Sequence, residues 1–224
     1  YSIMIGDFPL IRTKQYETLA TAWLEAIRRE ENASIMFVPK ADRHIRIGQF
    51  MGDIELHTKI LKGKKIECMR LNFDVHDVED RDDLHFQIQE SLMVQKLTKI
   101  KINLDEYIQN NKKEGTVLVI IIPEAEKFLD TAHKHILQIL SDLIDSYSPW
   151  ISIFSFFEAD ITHPSILPLL PASGRLYENL FHFPLYNEVE TTDFMHLLMS
   201  QWNLTIKQKE ILEIFEKCGG HFWL

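Results

Sequence analysis

Nothing in this chain is apolar for long enough to suggest a membrane span. Its longest apolar runs, Val117-Leu118-Val119-Ile120-Ile121-Ile122 and the segment 151–157, are strand-sized. A span needs roughly 18 apolar residues or more. Cysteine is scarce: Cys68 and Cys218 are the two thiols, far apart. That excludes a disulfide-stapled secreted scaffold and fits two free thiols in a reducing compartment, so an intracellular location, cytoplasmic or nuclear, is expected. Cations are outnumbered, 24 Lys and Arg against 33 Asp and Glu, for a formal charge of -9. This balance argues against broad nucleic-acid binding by the segment, because phosphate neutralisation needs clustered Lys and Arg. The run Lys62-Gly63-Lys64-Lys65 is too short to reverse it. Low-complexity tracts and strong internal repeats are absent. The chain starts at Tyr1 without Met or a secretory leader pattern, so a piece of something longer is expected.

What is present is ordinary for a globular protein: 224 residues, 46% hydrophobic and 25% charged. That is enough to bury one large core, with or without a small appendage. Tyr16, Leu19, Ala20, Trp23, Leu24 and Ile27 recur at helical spacing and predict a helix over 14–30. Strands are expected at 34–38, 66–73, 116–122, 150–157 and 180–185. A helix opening on Asp82 and Asp83 carries Leu84, Ile88, Leu92 and Leu97. Another carries Phe128, Leu129, Ala132, Ile136, Leu140, Leu143 and Ile144. The segment 116–122 is apolar on both faces, as a central parallel strand must be. Strands alternating with helices imply right-handed crossovers and an α/β parallel-sheet sandwich. After Tyr186 the pattern is wholly helical. Thr205 with Gln208 reads as a capping box, and Gly219-Gly220 as a helix stop. The expected boundary lies near Asn187, with an α/β domain over 1–186 and a partial helical lid over 187–224.

The turn after the first strand reads Val38-Pro39-Lys40-Ala41-Asp42-Arg43-His44-Ile45. A phosphate-binding loop there would read Gly, four residues, Gly-Lys, then Ser or Thr. Those fixed positions hold Val38, Arg43, His44 and Ile45, and glycine is missing from all of 34–47. Further along, 117–128 reads VLVIIIPEAEKF, close to an apolar strand followed by Asp, Glu and "aekl", with Pro123 in place of the Asp. Phe8-Pro9-Leu10-Ile11-Arg12 resembles a "pf-x-gRe" box. Gly174-Arg175-Leu176 before Phe181-His182-Phe183-Pro184-Leu185 resembles "sRf … i-F-pPl". Cys218-Gly219-Gly220-His221 resembles a "GGhP" lid motif, with Phe222 replacing Pro. In this order the motifs resemble the ATPase module of the AAA+ and STAND superfamily, the group that includes origin-recognition-type ATPases. The resemblance covers nearly the whole chain. It implies a P-loop NTPase-like three-layer fold with a helical lid, here ending inside the lid, and a winged-helix or repeat domain downstream.

The altered positions bear on chemistry. A P-loop binds phosphate with consecutive backbone amides, and its glycines let the backbone curl. Val38 is β-branched and resists positive φ. Arg43 puts a long side chain where the family has none. His44, at the lysine position, is a shorter and largely neutral group at pH 7. Ile45 has no oxygen for Mg²⁺. Pro123 removes the metal-orienting carboxylate, which leaves Glu124 a base with nothing to act on. Lys40, Arg43 and His44 read either as a remodelled anion site or as a plain surface loop, and the surface loop is favoured. Glu124 is read as a residual acid at a helix start. Arg175 is a candidate arginine finger, but ordinary ion pairing is the preferred reading.

Other constellations carry less. The stretch 74–85, with Asp74, His76, Asp77 and His85, is rich in metal ligands but lacks fixed ligand spacing, and reads as a solvent loop. His133 and His135 are two apart on an expected helix and point away from each other. Cys68 has no nucleophile signature around it. Phe154, Phe156 and Phe157 read as strand core. Trp202, Phe222 and Trp223 read as lid packing or a partner surface. The expected function is a catalytically inactive ATPase-like module with a regulatory or scaffolding role. No metal or cofactor is expected, and its partners would be proteins. The alternatives are a working NTPase using ATP and Mg²⁺ through a non-standard loop such as 45–53, which has Gly48 and Gly52 but no Gly-Lys-Ser/Thr, and the ATPase-like part of a DNA-associated initiator or regulator. Nucleic acid would then be met through a further domain or a complex.

Overall fold

The computed structural model describes residues 10–31, 33–39, 42–158, 163–170, 175–183 and 185–221. The expectations attached to Phe8, Pro9, Lys40, Ala41, Gly174, Pro184, Phe222 and Trp223 lie outside them.

Helix α1 (Lys14–Arg28) starts where the Thr13 hydroxyl accepts the Tyr16 amide. Strand β1 (Ala33–Phe37) leads through the loop to α2 (Arg43–Gly52) and α3 (Ile54–Leu61), then β2 (Lys65–Arg70). Helices α4 (Arg81–Val94) and α5 (Leu104–Glu114) precede β3 (Thr116–Ile122). Helix α6 (Lys134–Tyr147), β4 (Ile151–Phe157), β5 (Asn179–His182), α7 (Glu188–Trp202) and α8 (Gln208–Cys218) complete the order. The five strands are all parallel and lie in the order β2-β3-β4-β1-β5.

Alternation along the central strands sends their side chains to two separate cores. Leu118, Ile120 and Ile122 of β3 join Ile151 and Ile153 of β4 against α4, α5 and α6. Val117, Val119 and Ile121 point the other way, with Phe154 and Phe156, against α1, α2 and α3. The fold is therefore a three-layer α/β sandwich. The second core is aromatic. Trp23 stacks on Phe154 at 4.8 Å, and Phe50 meets Trp23 edge-on at 5.4 Å. Emptying a site like Phe50, fully buried, costs about 3–5 kcal/mol. Phe194 of α7 packs into this same core and fixes the C-terminal helical pair to the sheet.

Several boundaries differ from expectation. Strand β2 stops at Arg70, α4 ends at Val94, short of Leu97, and β5 covers 179–182 rather than 180–185. Phe128 and Leu129 do not belong to α6: Phe128 closes a 3-10 turn (Ala125–Phe128), and the helix starts only at Lys134. Asn103 caps the unforeseen α5 by accepting the Glu106 amide, and Gly115 ends it at φ 68°. Helix α8 starts after Lys207, not after Thr205, because Glu210 reaches back to accept the Lys207 amide. The helix expected after the turn from the first strand is two helices, α2 and α3. They are separate because Asp53 breaks the run and its carboxylate accepts the Leu56 amide to start α3.

Candidate functional site

All five strands end on the same side, so the segments leaving β1, β3 and β5 converge there. In open parallel sheets ligands bind at this end. Val38 is buried, and its amide donates to the Phe157 carbonyl at 3.0 Å, extending the ladder to β4. Pro39 has no amide hydrogen. The Asp42 amide donates to the Pro39 carbonyl at 3.0 Å. Three loop positions therefore offer no free donor to an incoming anion.

Arg43, the first residue of α2, is 1% exposed. The surface-loop reading does not hold for it: its guanidinium turns inward and forms an ion pair with Glu126 at 2.7 Å. Apart from this ion pair, none of its three side-chain nitrogens has a hydrogen-bond partner among the described residues, and neither does Glu126 Oε2. The reason is length. A side chain this long at the start of α2 reaches the turn after β3, and the carboxylate there offsets part of the desolvation. His44 follows, exposed, and Ile45 is half-buried. Asp42 is buried before the helix.

One turn on, Arg46 is also buried. Its guanidinium lies 3.8 Å from the Phe183 ring centroid and 4.5 Å from that of Tyr186. It donates to the Tyr186 hydroxyl at 2.8 Å and to Gln49 Oε1 at 3.4 Å. Gln49 in turn donates to the Ile11 carbonyl at 3.2 Å. This box joins α2, the exit from β5 and the segment before α1. Beside it, Asp53 accepts from Arg12 at 2.6 and 3.0 Å and from the Tyr16 hydroxyl at 3.0 Å. Burial alone would raise the Asp53 carboxyl. The bonds from Arg12, the Leu56 amide and Tyr16 outweigh it and hold the group below the usual range. Burial, with Asp53 beside it, pushes the Tyr16 hydroxyl well above its ordinary value.

The C-terminal pair reaches the same loop. The Tyr186 amide donates to the Gly220 carbonyl at 2.9 Å. His221 Nδ1 lies 3.6 Å from Asp42 Oδ2. After β3, Pro123 is buried and Glu124 half-buried ahead of the 3-10 turn, where its side chain makes no cap bond. Lys127 donates to the Phe73 carbonyl at 2.8 Å and to Asn72 Oδ1 at 3.2 Å, tying that turn to the end of β2. Arg175 is engaged within the chain, with Asp145 of α6 at 2.8 Å and Glu178 at 3.0 Å.

No protein-family model matches the chain, and no curated protein sequence matches it. Solved structures do. The Walker-type ATPase of Pyrococcus abyssi superposes with a TM-score of 0.59 at 14% identity, over 95% of this chain and 67% of that one. The ADP form of the Aeropyrum pernix ORC2 protein gives 0.61 at 13% identity, over 90% of this chain and 55% of that one. The Aeropyrum pernix ORC1 protein in complex with DNA gives 0.54 at 12%, over 89% and 52%. The chain shares the fold of these proteins, that of a P-loop ATPase. This chain spans between about half and two thirds of those proteins' lengths.

In an ATPase-like fold of this kind the loop from β1 to α2 is the phosphate-binding position. Sequence reading located that turn, along with Glu124 and Arg175. It missed Glu126, Arg46 and Asp53. Glu126 lay in plain view within the AEKF match, but nothing local marked it as the partner of Arg43. Arg46 and Asp53 sat in a stretch whose helices the sequence pattern did not delimit. The remaining candidates take structural roles. His133 Nδ1 contacts Asp130 at 2.7 Å, and its ring meets His76 edge-on at 5.2 Å. His135 contacts the Ala132 and Val78 carbonyls. Among the described residues no three His, Cys, Asp or Glu side chains are grouped to hold a metal. The described cysteines are free. Burial, with Glu67 beside it, pushes the Cys68 thiol up to about 12. No described helix is long and apolar enough to cross a membrane.

Proposed function

We propose that this chain is an ATPase-like module without nucleotide turnover, serving as a regulatory or scaffolding domain for protein partners inside the cell. The observation that carries this reading is the buried Arg43 guanidinium paired with Glu126 at 2.7 Å. A working loop leaves its amides free and brings a lysine and a metal-binding hydroxyl to the triphosphate. Here the Val38 and Asp42 amides are bonded within the protein. A charged side chain is packed at the start of α2, with its countercharge supplied by the next loop. Losing the lysine's charged hydrogen bond alone forfeits roughly 1.5–3 kcal/mol. Losing the loop geometry and the metal as well removes the means of binding and of catalysis, and Glu124 is left as a vestige. Residues 187–224 then act as a lid fragment whose contact with the loop does not wait on nucleotide.

Isothermal titration with ATP and Mg²⁺ tests this. No measurable heat is expected, and none with ADP. Micromolar binding, with hydrolysis abolished by Glu124→Gln, would overturn it and revive the reading of an active NTPase.

A second reading has one observation behind it: a similar solved structure, the Aeropyrum pernix ORC1 protein, is in complex with DNA. Association with DNA through a further domain or a complex fits the acidic balance of this segment, which would not itself grip phosphates. Salt-dependent DNA binding by the longer protein, absent from this segment alone, would support it.

A further inference from the structure

We propose that Asp42 and His221 form a protonation-controlled latch that holds the α7–α8 pair against the loop after β1. The proposal rests on the reading above, that nucleotide does not occupy this loop.

The chain leaves the sheet at Tyr186 and returns at Gly220. One backbone bond, from the Tyr186 amide to the Gly220 carbonyl at 2.9 Å, therefore closes both ends of the helical pair. Gly219 and Gly220, both at positive φ (59° and 77°), turn the chain back over the loop. The next residue is His221. Its Nδ1 is buried without a hydrogen bond among the described residues and stands 3.6 Å from the Asp42 carboxylate. The carboxylate is buried, whereas the His221 side chain remains 30% exposed. Solvent protons thus reach the ring while the nitrogen facing Asp42 stays dry. In the neutral ring this is a long dipolar contact. In the protonated ring it is an ion pair across the junction between helical pair and loop. Histidine is the side chain that makes this change between about pH 5 and 8.

Other charged or titratable groups around this junction are Arg43, His44 and Arg46 on α2, Glu126 after β3, Tyr186 at the exit from β5, to whose hydroxyl Arg46 donates, and Glu216, Lys217 and Cys218 at the end of α8. Arg43 and Glu126 are engaged with each other. His44 is exposed and, as a second histidine, serves as the control.

The Tyr186 amide is the reporter, because it is freed when the pair lifts. Its hydrogen-exchange protection, corrected for intrinsic exchange, is measured by NMR on the whole chain at pH 5.5 and pH 8. Protection is expected to be about three- to fivefold higher at pH 5.5, the scale of a partly exposed ion pair. His221→Gln should remove the difference and keep the pH 8 value, while His44→Gln should leave the difference intact. Flat protection in the unmodified chain, or a difference that survives His221→Gln, overturns the latch. A separate titration with ATP and Mg²⁺ addresses the parent reading. Nucleotide binding there would defeat the pseudo-ATPase assignment, while the nucleotide-free comparison of His221→Gln would still decide the latch.

Discussion

Gly220 stands so close to Tyr186 that a Cβ on it would lie 1.9 Å from the Tyr186 carbonyl oxygen. The obstacle is backbone, so it cannot swing away as a flexible side chain would. Gly220 also sits at φ 77°, where L residues are strained. Gly220→Ala is therefore expected to lift the α7–α8 pair off the loop. The strain is about 1–3 kcal/mol. Hydrogen exchange should show lost protection at Tyr186 with the β3 amides unchanged. If Tyr186 stays protected, this contact does not hold the pair.

Arg43 and Glu126 make the second prediction. Removing one partner leaves a buried charge alone, and such losses cost about 3–5 kcal/mol. Arg43→Ala should approach that loss in urea unfolding. Glu126→Ala should cost less, because the carboxylate is 27% exposed and partly solvated. The pair Arg43→Met with Glu126→Leu should recover most of the loss, since apolar replacement of both partners is often neutral. A double variant no better than Arg43→Ala would refute that account.

Arg46 is held by shape as well as charge. Its flat guanidinium contacts the Phe183 and Tyr186 rings while donating to the Tyr186 hydroxyl. Lysine keeps the charge but cannot stack or fork. Arg46→Lys is expected to destabilise by about 2 kcal/mol, the upper range for a desolvated cation–π contact. Chemical denaturation measures it, and a loss within about 0.5 kcal/mol would mean that charge alone suffices.

What the sequence made legible follows physical range. The strands and α1 announced themselves through periodicity, because one element's own pattern decides which faces are buried. Val117 to Ile122, apolar on both faces, could only be central. The loop after β1 was legible because a phosphate loop is a contiguous motif. Arg43 with Glu126 was not. Eighty-three positions separate the two by sequence number, and only the sheet order β2-β3-β4-β1-β5 brings their loops to one end. The bounds of helices α2 and α3 were hidden for another reason. Gly48, Gly52 and buried polar residues such as Arg46, Gln49, Asp53 and His57 blur an apolar stripe. Of these, Gln49 and Asp53 bind the segment before α1 at Ile11 and Arg12, and Arg46 binds the exit from β5 at Tyr186, so the signal was weakest where the junction is built.

Cys68 offers a chemical test. With its thiol pushed up to about 12, its thiolate fraction at pH 7.5 is on the order of a thousandfold below that of an ordinary cysteine. In the Cys218→Ser background, reaction with a disulfide reagent should be slower by a similar factor. It should approach the rate of a free thiol only in denaturant. Fast labelling of the native protein would place Cys68 in the wrong environment.

The last prediction concerns acid. Asp53 is held below the ordinary carboxylate range in the folded chain: burial opposes ionisation, but Arg12, the Leu56 amide and Tyr16 favour it more strongly. In the unfolded chain the group titrates near about 3.9. The unfolded state therefore takes up the proton first as pH falls. Stability from Asp53 is fully present above about pH 5 and drains away through about pH 4 and below, until the folded group is also protonated. Asp53→Asn removes the ionised acceptor for Arg12 while keeping a side chain of similar size. At pH 7 it should destabilise by about 1.5–3 kcal/mol, the scale of a charged hydrogen bond. The gap between variant and parent should narrow as pH falls from 5 to 3. Urea midpoints across that range measure it directly. Parallel curves, with the gap unchanged at pH 3, would show that the Asp53 charge does not link α1 to the α2–α3 junction.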